Sequence, residues 1–301
     1  MKKIVNLIKS KNIGKVVLDA SLKKYTTYKI GGVAKIICYP ENIEKLIELI
    51  KILRENDTKY MILGCGSNVI FSDDEYDGVI IKLDEINKIE FIDNKVIAGA
   101  GASLMLLANL SVNKGYSGLE FATGIPGSVG GAVYMNAGAY KSDMGYVVSK
   151  VKVLTPDLKV ITMVNSELDF HYRTSFLQKN KGFICLEATI KLRKGNKDEI
   201  LEIVKERRKR RIESQPLEYP SAGSVFRNPE GDYAGRLIEE LGYKGLVKGG
   251  AQVSEKHANF VVNRKNASGK DVRDLILFLK QQVKEKYNIE LKIEQEFINW
   301  E

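Results

Sequence analysis

Ten of the 26 glycines fall in four short runs: Ile30-Gly31-Gly32, Gly64-Cys65-Gly66-Ser67-Asn68, Gly99-Ala100-Gly101-Ala102-Ser103 and the stretch from Gly124 to Ala132. Without a Cβ, glycine adopts positive φ and lets backbone N–H groups approach an anion closely. A pyrophosphate offers many acceptor oxygens, so several such turns converging on one ligand make chemical sense. One glycine pair alone is more readily a tight turn. Four runs, one with Pro126 between Gly124 and Gly127, shift the balance towards a nucleotide cofactor. The dinucleotide fingerprint is not met. Residues 64–69 read G-x-G-x-x-V and residues 99–104 read G-x-G-x-x-L, each lacking the third glycine and the strand–turn–helix context. A Rossmann dehydrogenase is disfavoured.

Other reactive side chains are few. Glu294 and Glu296 stand at i, i+2 and would share one face of a strand. His171 and His257 are far apart, with no Cys or carboxylate at ligand spacing, so no metal site is expected. No G-x-S-x-G elbow is present, which argues against a serine hydrolase. The net charge is +9, and Lys205-Glu206-Arg207-Arg208-Lys209-Arg210-Arg211 alone carries +5 of it. Such a run can be a nucleic-acid patch, a site for an anionic substrate, or a solvated helix face. The solvated face takes about half the weight by composition. No RNA-module signature or aromatic stacking pattern accompanies the run, so no nucleic-acid partner is expected.

The elements that must position these residues are mixed. Helical periodicity is clearest over Glu41–Asn56, from Asp198 to about Ile212, over Asp232–Leu241 closed by Gly242, and over Ser268–Tyr287 with Ser268 as N-cap. Strand-like runs cover Lys59–Leu63, Gly78–Leu83, Lys95–Ala98, Lys150–Leu154, Val160–Met163, Phe183–Leu192, Asn259–Asn263 and Leu291–Ile298. Strands and helices do not alternate regularly, which points to α+β layers. The 301 residues suit about two domains. A hydrophobic fraction of 44% excludes global disorder, and three cysteines cannot form a disulfide scaffold. No run approaches the roughly 20 apolar residues of a membrane helix. Lys9 and Lys11 interrupt the first apolar run, leaving no signal-peptide core, so a cytoplasmic location without membrane insertion is expected.

Several segments, in order, resemble the UDP-N-acetylenolpyruvoylglucosamine reductase family. Tyr28-Lys29-Ile30-Gly31-Gly32, Leu63-Gly64-Cys65-Gly66-Ser67-Asn68, Thr123-Gly124-Ile125-Pro126-Gly127-Ser128-Val129-Gly130-Gly131-Ala132 and Met135-Asn136-Ala137-Gly138-Ala139-Tyr140 resemble its FAD-binding half. Tyr172-Arg173-Thr174-Ser175-Phe176 is similar to its active-site arginine motif. The loop from Gln215 through Ser221-Ala222-Gly223-Ser224-Val225-Phe226-Arg227-Asn228-Pro229 is similar to its catalytic serine loop. Gly249–Phe260 and Ile293-Glu294-Gln295-Glu296-Phe297-Ile298 complete the likeness, which spans about residues 20–298.

The resemblance implies an α+β fold: an FAD-binding domain of the vanillyl-alcohol-oxidase (PCMH) type in two subdomains, 1–80 and 81–200, and a smaller α/β substrate-binding domain at 201–290. The strand at about 290–301 would return to the first subdomain. It further implies non-covalent FAD, NADPH as co-substrate, and reduction of a UDP-N-acetylglucosamine enolpyruvate. The shorter class, without a tyrosine-bearing loop, fits the chain length, and a monomer is expected. Carried over residue by residue, Arg173, Ser224 and Glu296 are catalytic, with Glu294 competing with Glu296. Tyr28, Ile30, Gly31, Gly64, Gly66, Ser67, Asn68, Gly101, Thr123, Gly124, Pro126, Gly127, Ser128, Gly130, Gly131 and Ala132 would hold the flavin. Tyr172, Arg227, Asn228, Gln252, Lys256 and His257 would contact the substrate, and Tyr116 and Tyr140 would pack near the flavin or in the core. Cys65 departs from the glycine usual in that turn. A flavin oxidase of the same superfamily, acting on another substrate, is the alternative enzyme.

Overall fold

The computed structural model describes residues 1–300. The chain divides into two compact units. One comprises Met1–Leu18, Ile36–Cys65 and Gly78–Lys209; the other comprises Asp19–Lys35, Gly66–Asp77 and everything from Arg210 onward.

The first unit holds most of a four-stranded sheet ordered Gly14–Ser21, Val33–Pro40, Tyr76–Ile81, Tyr60–Ile62. Tyr60, Met61 and Ile62 pair in parallel with Val79, Ile80 and Ile81. A parallel neighbour requires a crossover. Helix Ile43–Glu55 lies in the sequence ahead of Tyr60–Ile62, and its Leu46, Leu49, Ile50 and Leu53 are all buried. Asn42 caps it, its side chain accepting from the Lys45 amide at 2.8 Å. Such a cap stabilises a helix by about 1 kcal/mol.

The second sheet of this unit is antiparallel, ordered Val160–Val164, Val148–Leu154, Ile184–Lys191, Lys95–Gly99, Ile89–Ile92. Its central strand Ile184–Lys191 is buried at nearly every position, which requires cover on both faces. The short helix Val129–Met135 packs on that strand. The run of Gly130, Gly131 and Ala132 keeps its first turn slim. At the edge, Val160–Val164 buries only Met163.

In the second unit, strands Val247–Lys248, Ala251–Val253 and Val261–Asn263 form an antiparallel sheet. Helix Gly269–Tyr287 lies on it through Val272, Leu275, Ile276, Leu279 and Val283. Ser268 starts that helix as expected. Its hydroxyl accepts from the Asp271 amide at 3.0 Å while Asp271 accepts from the Ser268 amide at 3.0 Å. Glu296–Ile298 pairs in parallel with Val69–Phe71.

Two differences from the sequence pattern stand out. Helices Lys2–Ser10 and Val129–Met135 form where lysines or glycines masked the helical period, and helix Leu104–Asn113 forms where apolar residues all round left no period to see. Ser103 and Ser128 cap the latter two. The terminal strand is regular only at Glu296–Ile298, not from Leu291. Upstream of it the backbone makes isolated contacts instead: Phe226 bridges Ile293, and the Glu294 amide donates to Val225 O at 2.8 Å. Finally, among the described residues no helix is long and apolar enough to cross a membrane.

Candidate active site

Three of the four glycine runs meet within the first unit. The amides of Val129 and Gly130 donate to Ala102 O at 2.9 Å and Ala100 O at 2.8 Å, and the Leu104 amide donates to Gly127 O at 2.9 Å. This ties the 99–103 run to the 124–132 run. The 64–65 turn joins them: a Cβ on Gly64 would lie 2.7 Å from Ser128 Oγ. Only a glycine permits that approach. Gly131 and Pro126 face solvent, and Gly64, Gly124 and Gly127 are half-buried. The product is a surface made largely of backbone, with the start of helix Val129–Met135 beside it. Such a surface carries little side-chain bulk, which leaves room for the pyrophosphate of a dinucleotide.

A residue absent from the sequence expectation lies beneath this turn. Lys82 is only 6% exposed; its Nζ donates to Gly64 O at 2.5 Å and lies 3.3 Å from Asp84 Oδ1. Its place among the apolar residues of a strand gave no signal of this. Cys65 is exposed at the tip of the same turn. Partial desolvation by the surrounding turn raises the thiol above its ordinary pKa, against the lowering influence of Lys82.

The arginine motif also belongs to the first unit. His171 and Thr174 exchange backbone hydrogen bonds at 3.0 and 3.1 Å, closing a tight turn that puts Arg173 at φ +57°. Arg173 Nη2 donates to Gly138 O at 2.8 Å, and its guanidinium lies 5.2 Å from the Tyr172 ring centroid. Asn136 holds the turn from below. It is 1% exposed, accepts from the Gly145 amide at 2.8 Å and donates to His171 O at 2.8 Å. Ser175, fully buried, donates to Tyr134 O at 2.7 Å. Tyr140 takes the rim position: its hydroxyl donates to Arg207 O at 2.7 Å, and the Arg207 guanidinium stacks 5.0 Å above its ring. Tyr116 stacks on Phe91 at 6.0 Å. Most of the 205–211 run is exposed, with Arg207 and Arg211 half-buried, as a solvated helix face would be.

The second unit contains Tyr28, Ile30, Gly31, Gly66, Ser67, Asn68, the serine loop and the terminal glutamates. Tyr28 and Ile30 are fully buried. Asn68 braces the terminal strand twice, its side chain donating to Glu294 O at 3.0 Å and its carbonyl accepting from the Glu296 amide at 2.9 Å. Ser224 is half-buried, one residue after Gly223 at φ +76°. A Cβ there would meet nothing within 4 Å, so glycine is needed for the backbone angle and not for space. Asn259 fixes Phe226, two residues after the serine, donating to its carbonyl at 2.8 Å and accepting from its amide at 2.9 Å. Gln295, fully occupied in hydrogen bonds, escaped notice in the sequence between two glutamates.

The expected substrate contacts lie in this unit, apart from Tyr172. Asn228 accepts from the Ala234 amide at 3.2 Å, and Gln252 donates to Gly245 O at 3.1 Å. Lys256 Nζ donates to Ile212 O at 2.6 Å. His257 accepts from the Asn259 amide at 3.2 Å and packs on Phe260 at 4.9 Å. Burial, and then the charge of Lys244, lowers its pKa, so the ring is neutral at pH 7. The Arg227 Nε is buried without a hydrogen-bond partner.

Residues 34–163 match a family described as FAD binding domain, and residues 215–298 match the C-terminal domain of UDP-N-acetylenolpyruvoylglucosamine reductase. The solved alkyldihydroxyacetonephosphate synthase superposes with a TM-score of 0.50 over 64% of this chain and 40% of its own at 16% identity, a likeness of fold alone. The fold is thus α+β, an FAD-binding domain of the vanillyl-alcohol-oxidase (PCMH) type followed by a smaller domain, and the cofactor is FAD. Relatives covering the whole chain narrow the class. UDP-N-acetylenolpyruvoylglucosamine reductase of Bacillus licheniformis is 44% identical over 99% of both chains, and that of Clostridium novyi is 44% identical over 100% of this chain and 96% of its own. The crystal structure of the Thermus caldophilus reductase superposes with a TM-score of 0.79 at 38% identity, covering 94% of this chain and 98% of that one. The chain belongs to the UDP-N-acetylenolpyruvoylglucosamine reductase family, and its length fits the shorter class.

Proposed function

We propose that this protein reduces the enolpyruvyl ether of UDP-N-acetylglucosamine to the lactyl ether of UDP-N-acetylmuramate, for peptidoglycan precursors, with NADPH as reductant. End-to-end likeness to reductases of that name carries the reading, and the backbone cradle of the first unit supports it. Bound FAD supplies the relay by which a hydride leaves NADPH and reaches the vinyl carbon distal to the ether oxygen. The protein's own groups then handle charge and proton. Negative charge gathers on the adjacent carbon and its carboxylate, where Arg173 stabilises it through a planar, always charged fork. The Asn136 brace and the 171–174 turn preset the backbone of that arginine, so little reorganisation accompanies the reaction. Ser224 donates the final proton. A serine hydroxyl is a weak acid, and an enolate is basic enough to take its proton. Glu296 assists by polarising the carboxylate or relaying the proton.

A second reading gives Glu294 that role, because its amide donates to Val225 O, one residue from Ser224, whereas the Glu296 amide is committed to Asn68. Tyr172, Arg227, Asn228, Gln252, Lys256 and His257 contact the uridine diphosphate sugar in this scheme, and Tyr28, Ile30, Gly31 and the other glycine-run residues border the flavin. A flavin-binding division spanning residues 1–80 and 81–200 precedes a substrate-binding one at 201–290. The protein works as a cytoplasmic monomer on small molecules, without nucleic acid.

The purified protein should be yellow and should bleach on anaerobic addition of NADPH, then regain colour with the enolpyruvyl nucleotide. Ser224→Ala should leave bleaching intact and block recolouring. Protein without extractable flavin overturns the reading, and equal loss of both steps makes Ser224 structural.

A further inference from the structure

Gln295 is 3% exposed, and its carboxamide is wholly engaged within the second unit. Nε2 donates to three successive carbonyls, Ala222 at 3.1 Å, Gly223 at 3.1 Å and Ser224 at 3.3 Å. Two N–H hydrogens thereby serve three acceptors, and the loop must curl around the amide for that to occur. The positive φ of Gly223 supplies the curl. On its other side Oε1 accepts from the Tyr28 hydroxyl at 3.2 Å. Tyr28 is itself fixed, fully buried and with its carbonyl accepting from Asn263 Nδ2 at 3.0 Å. Complete burial raises the phenol well above its ordinary pKa, so it remains a donor throughout the working pH range. The three loop carbonyls can only accept, so they hold Nε2 towards the loop, and the phenol completes the arrangement by donating to the amide oxygen on the other side.

Residues after the serine are held by other groups, Val225 by Glu294 and Phe226 by Asn259. Residues 222–224 are held by Gln295. We propose that Gln295, anchored by Tyr28, is a positioning residue for proton transfer: it fixes the backbone of the serine loop and thereby the direction of the Ser224 hydroxyl. The proposal rests on the reading of Ser224 as proton donor. Its logic is geometric, since a misplacement of about 1 Å at a reacting group can cost about 100-fold in rate.

The test uses the flavin-loaded protein in anaerobic stopped flow, following reduction by NADPH and then reoxidation by the enolpyruvyl nucleotide. Gln295→Met keeps volume and removes the amide. Reoxidation should slow by about 10- to 100-fold while reduction by NADPH changes by less than about twofold. The solvent deuterium isotope effect on reoxidation should rise, because the misdirected proton transfer becomes the slow step. In Gln295→Glu an ionised carboxylate faces three carbonyls, and protonation restores a donor. Its reoxidation rate should therefore climb as pH falls, opposite to any general acid instability. Tyr28→Phe, which leaves the amide oxygen without its donor and loosens the anchor, gives a milder slowing of about threefold to tenfold and keeps the test open if Gln295→Met fails to fold. Reoxidation unchanged in Gln295→Met and Tyr28→Phe, or both half-reactions slowed alike with no change in isotope effect, overturns the proposal. Ser224→Ala separates the two layers. If that variant reoxidises normally, the proton-donor reading fails; if it is blocked while Gln295→Met is not, the positioning proposal alone fails.

Discussion

Replacing Asn136 by alanine should destabilise the first unit severely, and the size of the effect follows from three observations. The side chain is 1% exposed, so its own hydrogen bonds are made away from water. Alanine leaves the Gly145 N–H unpaired, at about 1 to 3 kcal/mol, and removes one of the two hydrogen bonds that the His171 carbonyl accepts, at about 1 kcal/mol. The residue also sits at φ +45°, ψ +56°, a left-handed conformation that costs alanine about 1 kcal/mol more than asparagine. The sum is about 3 to 5 kcal/mol. Asn136→Gly removes the same bonds without the backbone penalty, so it should recover about 1 kcal/mol of that loss. Asn136→Asp keeps the acceptor for Gly145 and turns a carboxylate oxygen on the His171 carbonyl, so it should fall between parent and alanine. Urea unfolding followed by circular dichroism and by flavin release reads these differences. An Asn136→Ala protein within about 1 kcal/mol of the parent would refute the assignment of Asn136 as the brace beneath the arginine turn.

Three further outcomes are expected. With intact protein a thiol reagent should label Cys65 alone, and bound FAD should slow that labelling; Cys38 and Cys185, whose thiols burial pushes up to about 12, should react only on unfolding. His257 is held neutral by burial, so the unfolded chain takes a proton first, and stability should decline as pH falls below 6.5; unfolding midpoints of His257→Asn should show a shallower decline. Ser128→Ala removes the cap on helix Val129–Met135, costing about 1 kcal/mol of stability, and flavin titration should reveal weaker FAD retention because that turn borders the cradle.

What the sequence made legible was whatever depends on local pattern. The Ile43–Glu55 and Gly269–Tyr287 helices follow from their apolar periods and their Asn42 and Ser268 caps. The FAD domain and the α+β class were legible through motifs, since glycine runs record backbone requirements at each site. Helix Val129–Met135 was hidden by its own glycines, whose poor helix propensity is outweighed by packing against a buried strand. The terminal strand was overestimated because alternation in 291–298 does not reveal that Gln295 points into a loop 71 to 73 residues away. Lys82, Asn136 and Gln295 share one reason for invisibility. Each is a polar residue whose task is to satisfy backbone groups distant in sequence, and neither residue type nor spacing encodes those partners.

The division of the chain has a consequence for biosynthesis. The second unit is assembled from residues 19–35, 66–77 and the whole stretch from 210 onward, so it is not a contiguous segment. The bond from Tyr28 to Gln295 spans 267 positions. During translation the early pieces of that unit emerge long before the residues that cover them, and Tyr28, Ile30 and Ile70 wait without their hydrophobic partners. Closing such a long loop carries an entropy cost that only the last-made residues can offset. A fragment cut at residue 215, where the C-terminal family match begins, would lack Tyr28, Ile30 and Ile70 from its core. Truncation at that sequence boundary should therefore give aggregation-prone material, while the first unit, continuous from Gly78 to Lys209 over most of its length, can begin to fold on the ribosome.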